Sequence, residues 1–264
     1  MSDLTNDVVV VTGAGTGVGR GLAREAAARG ARVVVVDMDD PAETVAMIEA
    51  SGGVASGATC DVRDRQALGD LADAVTASHG HVNLVCANAG VGGGGTVDSL
   101  TTDDIRGILD VNVVGVFNTI QAFLPAVRRA RAEQGRAAVL ITGSEHSLGV
   151  PPYVPPMTAY TTSKHAVLGL AGAVRRDLAE DGIAVSILCP SYVRTERLRA
   201  YAASAPQIAE TLDHYGQDPD DVARRAFDGV AAGRFVIPTN VVSRDFVLEL
   251  HQEVIDAMTQ LPPG

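Results

Sequence analysis

Tyr160 and Lys164 stand four residues apart in "YTTSK", a spacing that sets both side chains on one face of a helix. An unperturbed tyrosine, with a pKa near ~10, is a poor base at neutral pH. A neighbouring ammonium favours the phenolate, and so does any further positive charge brought beside the ring. Moving the phenol down by ~3 units takes about 4 kcal/mol, within reach of two cations in a shielded site. Such a tyrosine could take a proton from an alcohol or give one to a carbonyl. Lys164 is also the only lysine in the chain, the other 20 of the 21 basic residues being arginine. A compact, tunable ammonium kept at one place suits a task that guanidinium cannot perform. Two serines precede the pair, Ser144 at 16 residues before Tyr160 and Ser147 at 13. Either could orient an oxygen near the phenol.

The elements that must position these groups follow from the pattern of apolar runs. Residues 7–13, 31–37, 53–62, 82–90, 136–144, 183–191 and 233–240 are β-branched and mostly apolar on both faces, as strands buried in a parallel sheet are. Ala-, Leu- and Arg-rich stretches with helical spacing lie between them, including "GRGLAREAAARG" and "AVLGLAGAVRRDLAEDG". Strand and helix in alternation predict an α/β fold: one doubly wound domain over residues 1–264, with helices on both faces. Residues 90–96, the proline cluster 151–156 and the stretch from Arg194 to about Asp220 read as irregular. The last of these, 191–220, is the expected substrate loop or lid.

The segment "TGAGTGVG" (12–19) follows the first strand and opens a helix. Gly13 allows a tight turn, while Gly17 and Gly19 let backbone amides approach a pyrophosphate at the helix N-terminus, with Thr16 and Val18 between them. Asp37 closes the second strand, where a carboxylate accepts both ribose hydroxyls and repels a 2′-phosphate. Met38, Asp39 and Asp40 bring no basic group, so NAD is favoured over NADP.

A net charge of −11 with no basic run argues against nucleic acid and anionic membranes as partners. Cys60, Cys86 and Cys189 are far apart and sit in apolar runs, which suits reduced core thiols and a cytoplasmic setting. The polar start "MSDLTND" has no signal-like apolar stretch. No apolar run was expected to reach the ~20 residues of a membrane span. No His, Cys or carboxylate pair has metal-ligand spacing, so no metal is expected.

Taken together, "TGAGTGVG", Asp37, "CDV" (60–62), "ANAG" (87–90), "NVVG" (112–115), a serine after the fifth strand, "YTTSK" and "PSYVRT" (190–195) resemble the short-chain dehydrogenase/reductase family over essentially the whole chain. The resemblance implies a Rossmann fold with a seven-stranded parallel sheet, a nicotinamide cofactor, and chemistry at an alcohol or carbonyl carbon. It assigns Asp61 and the Val62 backbone to the adenine, and Asn88, Ala89 and Gly90 to the cofactor wall. Pro190, Val193 and Thr195 go to the nicotinamide. It gives Tyr160 the role of general acid/base, Lys164 that of lowering the tyrosine pKa, and Asn112 that of holding a water in the proton relay. The orienting serine is assigned to Ser144, because the strand end is fixed by the sheet and the proline piece reads as an insertion. Pro190-Ser191 departs from the family's frequent Pro-Gly. Glu145, His146, Tyr153, Tyr192, Leu198 and Tyr201 are the candidate substrate contacts, and a mostly apolar cyclic alcohol or ketone is preferred to a sugar. The alternatives are an NADP-dependent carbonyl reductase and a catalytically idle NAD-binding sensor or scaffold. Small and apolar residues on helices 102–131 and 158–180 suit a homodimer or homotetramer, as is common in the family.

Overall fold

In the computed structural model, which describes residues 3–261, each of the seven apolar runs contains a strand. β1 (Val8–Thr12), β2 (Arg32–Asp37), β3 (Val54–Thr59), β4 (Leu84–Ala87), β5 (Ala138–Thr142), β6 (Ala184–Cys189) and β7 (Val236–Pro238) form one sheet. All pairs are parallel, in the order β3-β2-β1-β4-β5-β6-β7. Side chains alternate across the sheet, so β1 feeds two apolar layers. Val8 and Val10 pack with Leu68 of α3 (Arg65–His79), Phe123 of α5 (Val116–Gln134) and Val167 of α6 (Thr158–Asp177). Val9 and Val11 face the opposite way, toward Leu22 of α1 (Gly17–Ala28), Ile48 of α2 (Ala42–Ala50) and Phe227 of α9 (Pro219–Ala231). The strand order reverses between β1 and β4, which opens a crevice at the carboxyl ends of these strands.

Between α4 (Thr102–Leu109) and α5 the backbone widens into a π-helical turn, Asp110–Gly115. Asn112 sits in that turn, completely buried. The run Thr102–Gln134 is one continuous helix of 33 residues, long and apolar enough by length and composition to cross a membrane, contrary to the sequence expectation. It is a layer of this fold: Phe123 and Val127 on it pack into the core against the sheet.

Two further regions differ from expectation. The stretch after β6 is not irregular but holds α7 (Glu196–Ala202) and α8 (Pro206–Tyr215), each of which places apolar residues against the other. Beyond β7 the chain forms α10 (Arg244–Thr259), a helix with no buried residue, for which the sequence reading had no element.

Candidate active site

The two serines part company at the end of β5. Ser144 is extended and caps a single 3-10 turn, Glu145–Ser147. Its hydroxyl accepts from the His146 amide at 3.3 Å and lies on the side of the Tyr160 phenol, where it favours phenolate. The Ser147 hydroxyl turns back and accepts from the Ser144 amide at 3.2 Å. Of the two hydroxyls, that of Ser144 is the one that acts on the phenol.

Tyr160 and Lys164 share one face of α6. The Lys164 Nζ is 5.7 Å from the centre of the Tyr160 ring and donates to the Thr142 carbonyl at 3.0 Å. Lys164 is buried, and the loss of hydration pulls its ammonium down to about 8. Tyr160 moves the other way. Burial pushes its phenol up, the Ser144 hydroxyl pulls it down, and the carboxylate of Glu145 pushes it up again. The expected lowering of the phenol by Lys164 is thus not a property of these side chains alone. The ammonium is directed at a backbone carbonyl and is itself weakened by burial.

Asn112 accepts from the Val91 amide at 2.8 Å and donates to the Val91 carbonyl and the Ser163 hydroxyl, both at 2.9 Å. The side chain is fully engaged in pinning the glycine-rich loop to α6. Gly90 lies in front of it, exposed to the crevice, and a Cβ there would come within 3.2 Å of Asn112 Oδ1 and 3.6 Å of Lys164 Nζ. Only a glycine leaves this approach open.

At the phosphate loop, Asp37 Oδ2 accepts from the Gly15 amide at 2.7 Å, and its other oxygen accepts from the Asp39 amide at 3.2 Å. Gly17 starts α1 with a φ of +56°, and a Cβ on Gly19 would fall on the Gly13 carbonyl. Thr16 and Met38 are exposed at the rim, and Val18 is part-buried behind the loop. Asn88 donates to the carbonyls of Thr12 and Gly13 at 2.9 and 3.1 Å, so its amide braces the loop instead of facing the crevice. The Ala89 amide joins it by donating to the Thr12 hydroxyl at 3.3 Å. Asp61 is held by Arg63, whose Nε lies 3.0 and 2.9 Å from the two carboxylate oxygens and whose bonds keep that carboxyl low. The Val62 carbonyl accepts from Asn118 at 3.1 Å. An adenine group would meet both residues already partnered.

The roof comes from three separated segments. Pro190 accepts from the Glu145 amide at 2.8 Å, and Val193 is buried beneath it. Thr195 caps α7 by accepting from the Leu198 amide at 3.2 Å. Glu145, expected as a polar handle for substrate, is 3% exposed. It accepts from the Tyr153 phenol at 2.5 Å and the Ser243 hydroxyl at 2.6 Å, and burial holds its carboxyl above the usual range. His146 is buried as well, with Nδ1 2.8 Å from the Thr161 hydroxyl and its ring edge-on to Tyr160 at 5.1 Å. Burial pulls its imidazole down to about 4, so it stays neutral. Tyr153 stands at the centre of an aromatic group with Tyr192, Tyr215 and Phe246, at 6.3, 6.1 and 6.0 Å between ring centres. Leu198 packs into the small α7–α8 core, while Tyr201 is exposed.

Residues 7–205 match the family model described as short chain dehydrogenase. The chain belongs to the short-chain dehydrogenases. A 1-deoxy-11-beta-hydroxypentalenate dehydrogenase of Streptomyces avermitilis is 33% identical over 242 residues, 90% of this chain and 86% of that one. A 3-dehydrosphinganine reductase of Arabidopsis thaliana is 29% identical over 239 residues, covering 89% and 70% of the two chains. In structure, a short-chain dehydrogenase/reductase of Burkholderia phymatum in complex with NAD superposes with a TM-score of 0.86 at 29% identity, over 100% of this chain and 99% of that one.

Within this short-chain dehydrogenase the structure brings Ser144, Tyr160, Lys164 and Asn112 to one end of the sheet, beside Gly90. It leaves Glu145 and His146 buried beside them, each already hydrogen-bonded within the protein. Sequence reasoning missed Ser243, Tyr215 and Phe246, whose meeting with Tyr153 needs the whole chain to be folded. It also missed a basic group at the phosphate loop. Arg20, one turn into α1, folds back to the Gly15 carbonyl and to Thr44, with Glu43 and Glu196 at 2.6 and 3.1 Å. Its place three residues after Gly17, on the face of α1 that returns to the loop, was the available signal.

Proposed function

We propose that this short-chain dehydrogenase interconverts a secondary alcohol and its ketone with NAD as the hydride carrier. The observation that carries the reading is the Tyr160–Lys164 pair, with Nζ of the buried lysine 5.7 Å from the centre of the phenol ring and Ser144 beside it at the end of β5. The residues at the loop fit a dinucleotide: Gly13, Gly17 and Gly19 admit a backbone-bound pyrophosphate, and the Asp37 carboxylate stands at the end of β2. A bound nicotinamide supplies the site that takes up or releases hydride. Tyr160 donates a proton from its phenol oxygen to the ketone oxygen, or accepts one from the alcohol. Ser144 donates to that same substrate oxygen and steadies the charge that develops there. Lys164, at about 8, is poised to pass a proton at neutral pH. Asn112 keeps the Val91 loop and α6 in register around it.

Burial favours the protonated phenol, the form that gives a proton to a ketone; the positive charge of an oxidised nicotinamide would favour the phenolate that takes one from an alcohol. The carboxylate of Asp37 disfavours a 2′-phosphate, which supports NAD. The aromatic group around Tyr153 supports a mostly apolar cyclic substrate. The test is a panel of cyclic secondary alcohols and ketones, with sugars as the contrast, read by NADH absorbance with NAD and then NADP. Turnover of apolar cyclic members with NAD is expected; faster turnover of sugars, or equal use of NADP, would refute those parts of the reading.

A further inference from the structure

Glu196, the first residue of α7, reaches across the crevice to the phosphate loop. One carboxylate oxygen accepts from the Gly17 amide at 3.0 Å, and the other from Arg20 at 3.1 Å. Gly17 is the first residue of α1, so its amide is a free donor at the positive end of that helix. Thr195 approaches closely next door: its methyl would lie 2.9 Å from a Cβ on Gly17, so only a glycine leaves room for it. A carboxylate on a helix N-terminus, paired with a guanidinium, satisfies the same donors as phosphate oxygens do.

We infer that Glu196 sets the affinity of the cofactor site: its carboxylate occupies the amide that a dinucleotide pyrophosphate needs, and ties α7 to the loop until the pyrophosphate displaces it. The inference rests on the dinucleotide reading above. One amide proton cannot serve two anions, and two negative groups at this range repel each other. Glu196 can leave without stranding a charge, because its side chain is 52% exposed. Arg20 keeps Glu43 and the Gly15 carbonyl when it does, so the loop holds its shape. The segment that is released carries its own small core of Ala202, Ile208 and Leu212, and so moves as a unit.

The test compares the full chain with Glu196→Gln and Glu196→Ala. Calorimetric titration with NAD suits a protein that has no tryptophan. Both variants are expected to bind NAD about three- to tenfold more tightly, the scale of one partly exposed charge at a helix terminus. Without NAD, trypsin is expected to cut α7 at Arg197 and Arg199 faster in Glu196→Ala than in the unmodified protein. If the unmodified protein binds NAD and neither variant binds it more tightly, the inference fails while the dinucleotide reading stands. If none of the three binds NAD, the dinucleotide reading fails and takes the competition with it. Equal cutting of α7 in the absence of NAD would overturn the tether.

Discussion

Around the phosphate loop, most contacts join residues that are close in sequence or on adjoining strands: Asp37 to the Gly15 amide, Asn88 to the carbonyls of Thr12 and Gly13. At the roof, one buried carboxylate gathers hydroxyls from 8 and 98 residues away, Tyr153 and Ser243. The loop is made largely of backbone groups and glycines, so its shape is written locally. The roof is made of side chains drawn from the proline piece, the α7–α8 segment and the start of α10. Its shape depends on the whole fold, and it is the part free to vary with substrate. Between the two stands the Ser144, Tyr160 and Lys164 group, anchored to β5 and α6.

If that division holds, changes in the central group should cost turnover alone. Tyr160→Phe is expected to lower kcat by ~10³-fold with NAD affinity unchanged, since only the phenol proton is lost. Steady-state rates beside a binding titration check both halves of that statement. Lys164→Arg should fall nearly as far, because guanidinium neither fits the buried slot at Thr142 nor gives up a proton near pH 8. Activity close to that of the unmodified protein would break the argument for a unique lysine.

The serines sharpen the comparison at finer scale. Ser144→Ala should cost ~3 kcal/mol, or about a hundredfold in rate, for loss of a donor to the reacting oxygen. Ser147→Ala, which removes only the acceptor for the Ser144 amide, should cost clearly less. The decisive readout is kcat for both variants on one substrate; a larger loss at Ser147 would reverse the assignment.

On the loop side, Asp37→Ser should narrow the preference for NAD over NADP by ~10-fold in kcat/KM, because a like charge facing the 2′-phosphate is removed. The loss of the Gly15 bond should weaken NAD binding as well, a joint effect expected of a locally built site. An unchanged cofactor ratio would place the discrimination elsewhere.

On the roof side, the smallest expected effect is one of stability. Glu145 binds its proton more tightly folded than unfolded, so folding is favoured at low pH. Stability is then lost as pH rises from the ordinary 4.5 through the raised folded value. Glu145→Gln should flatten that slope in a series of melting temperatures against pH. It should leave NAD affinity alone, because the residue touches no part of the loop. A slope unchanged by the substitution would mean that another buried acid governs it.

The strands, the phosphate loop and the Tyr160–Lys164 face were legible in the sequence because each is local. Valine runs encode buried strands, glycines at fixed offsets encode a turn into a helix, and a four-residue step encodes a shared helix face. The end of β5 at Thr142, two residues before Ser144, was also legible, because a strand end is fixed by its sheet. What chain position could not give was the set of partners. Glu145 and His146 are polar residues beside Ser144, yet both are buried and already engaged, Glu145 with Tyr153 and Ser243 and His146 with Thr161. The lowering of Tyr160 was expected from Lys164 together with a further positive charge beside the ring; in the side chains alone burial, a property of the folded whole, pushes the phenol up. The α7–α8 pair escaped notice because its helices are short and owe their order to a small shared core. Glu196 on Gly17 and Ser243 on Glu145 bridge 179 and 98 residues. No pattern of spacing carries such contacts, because they exist only once the sheet has brought the ends of β1, β5 and β6 to the same edge of the crevice.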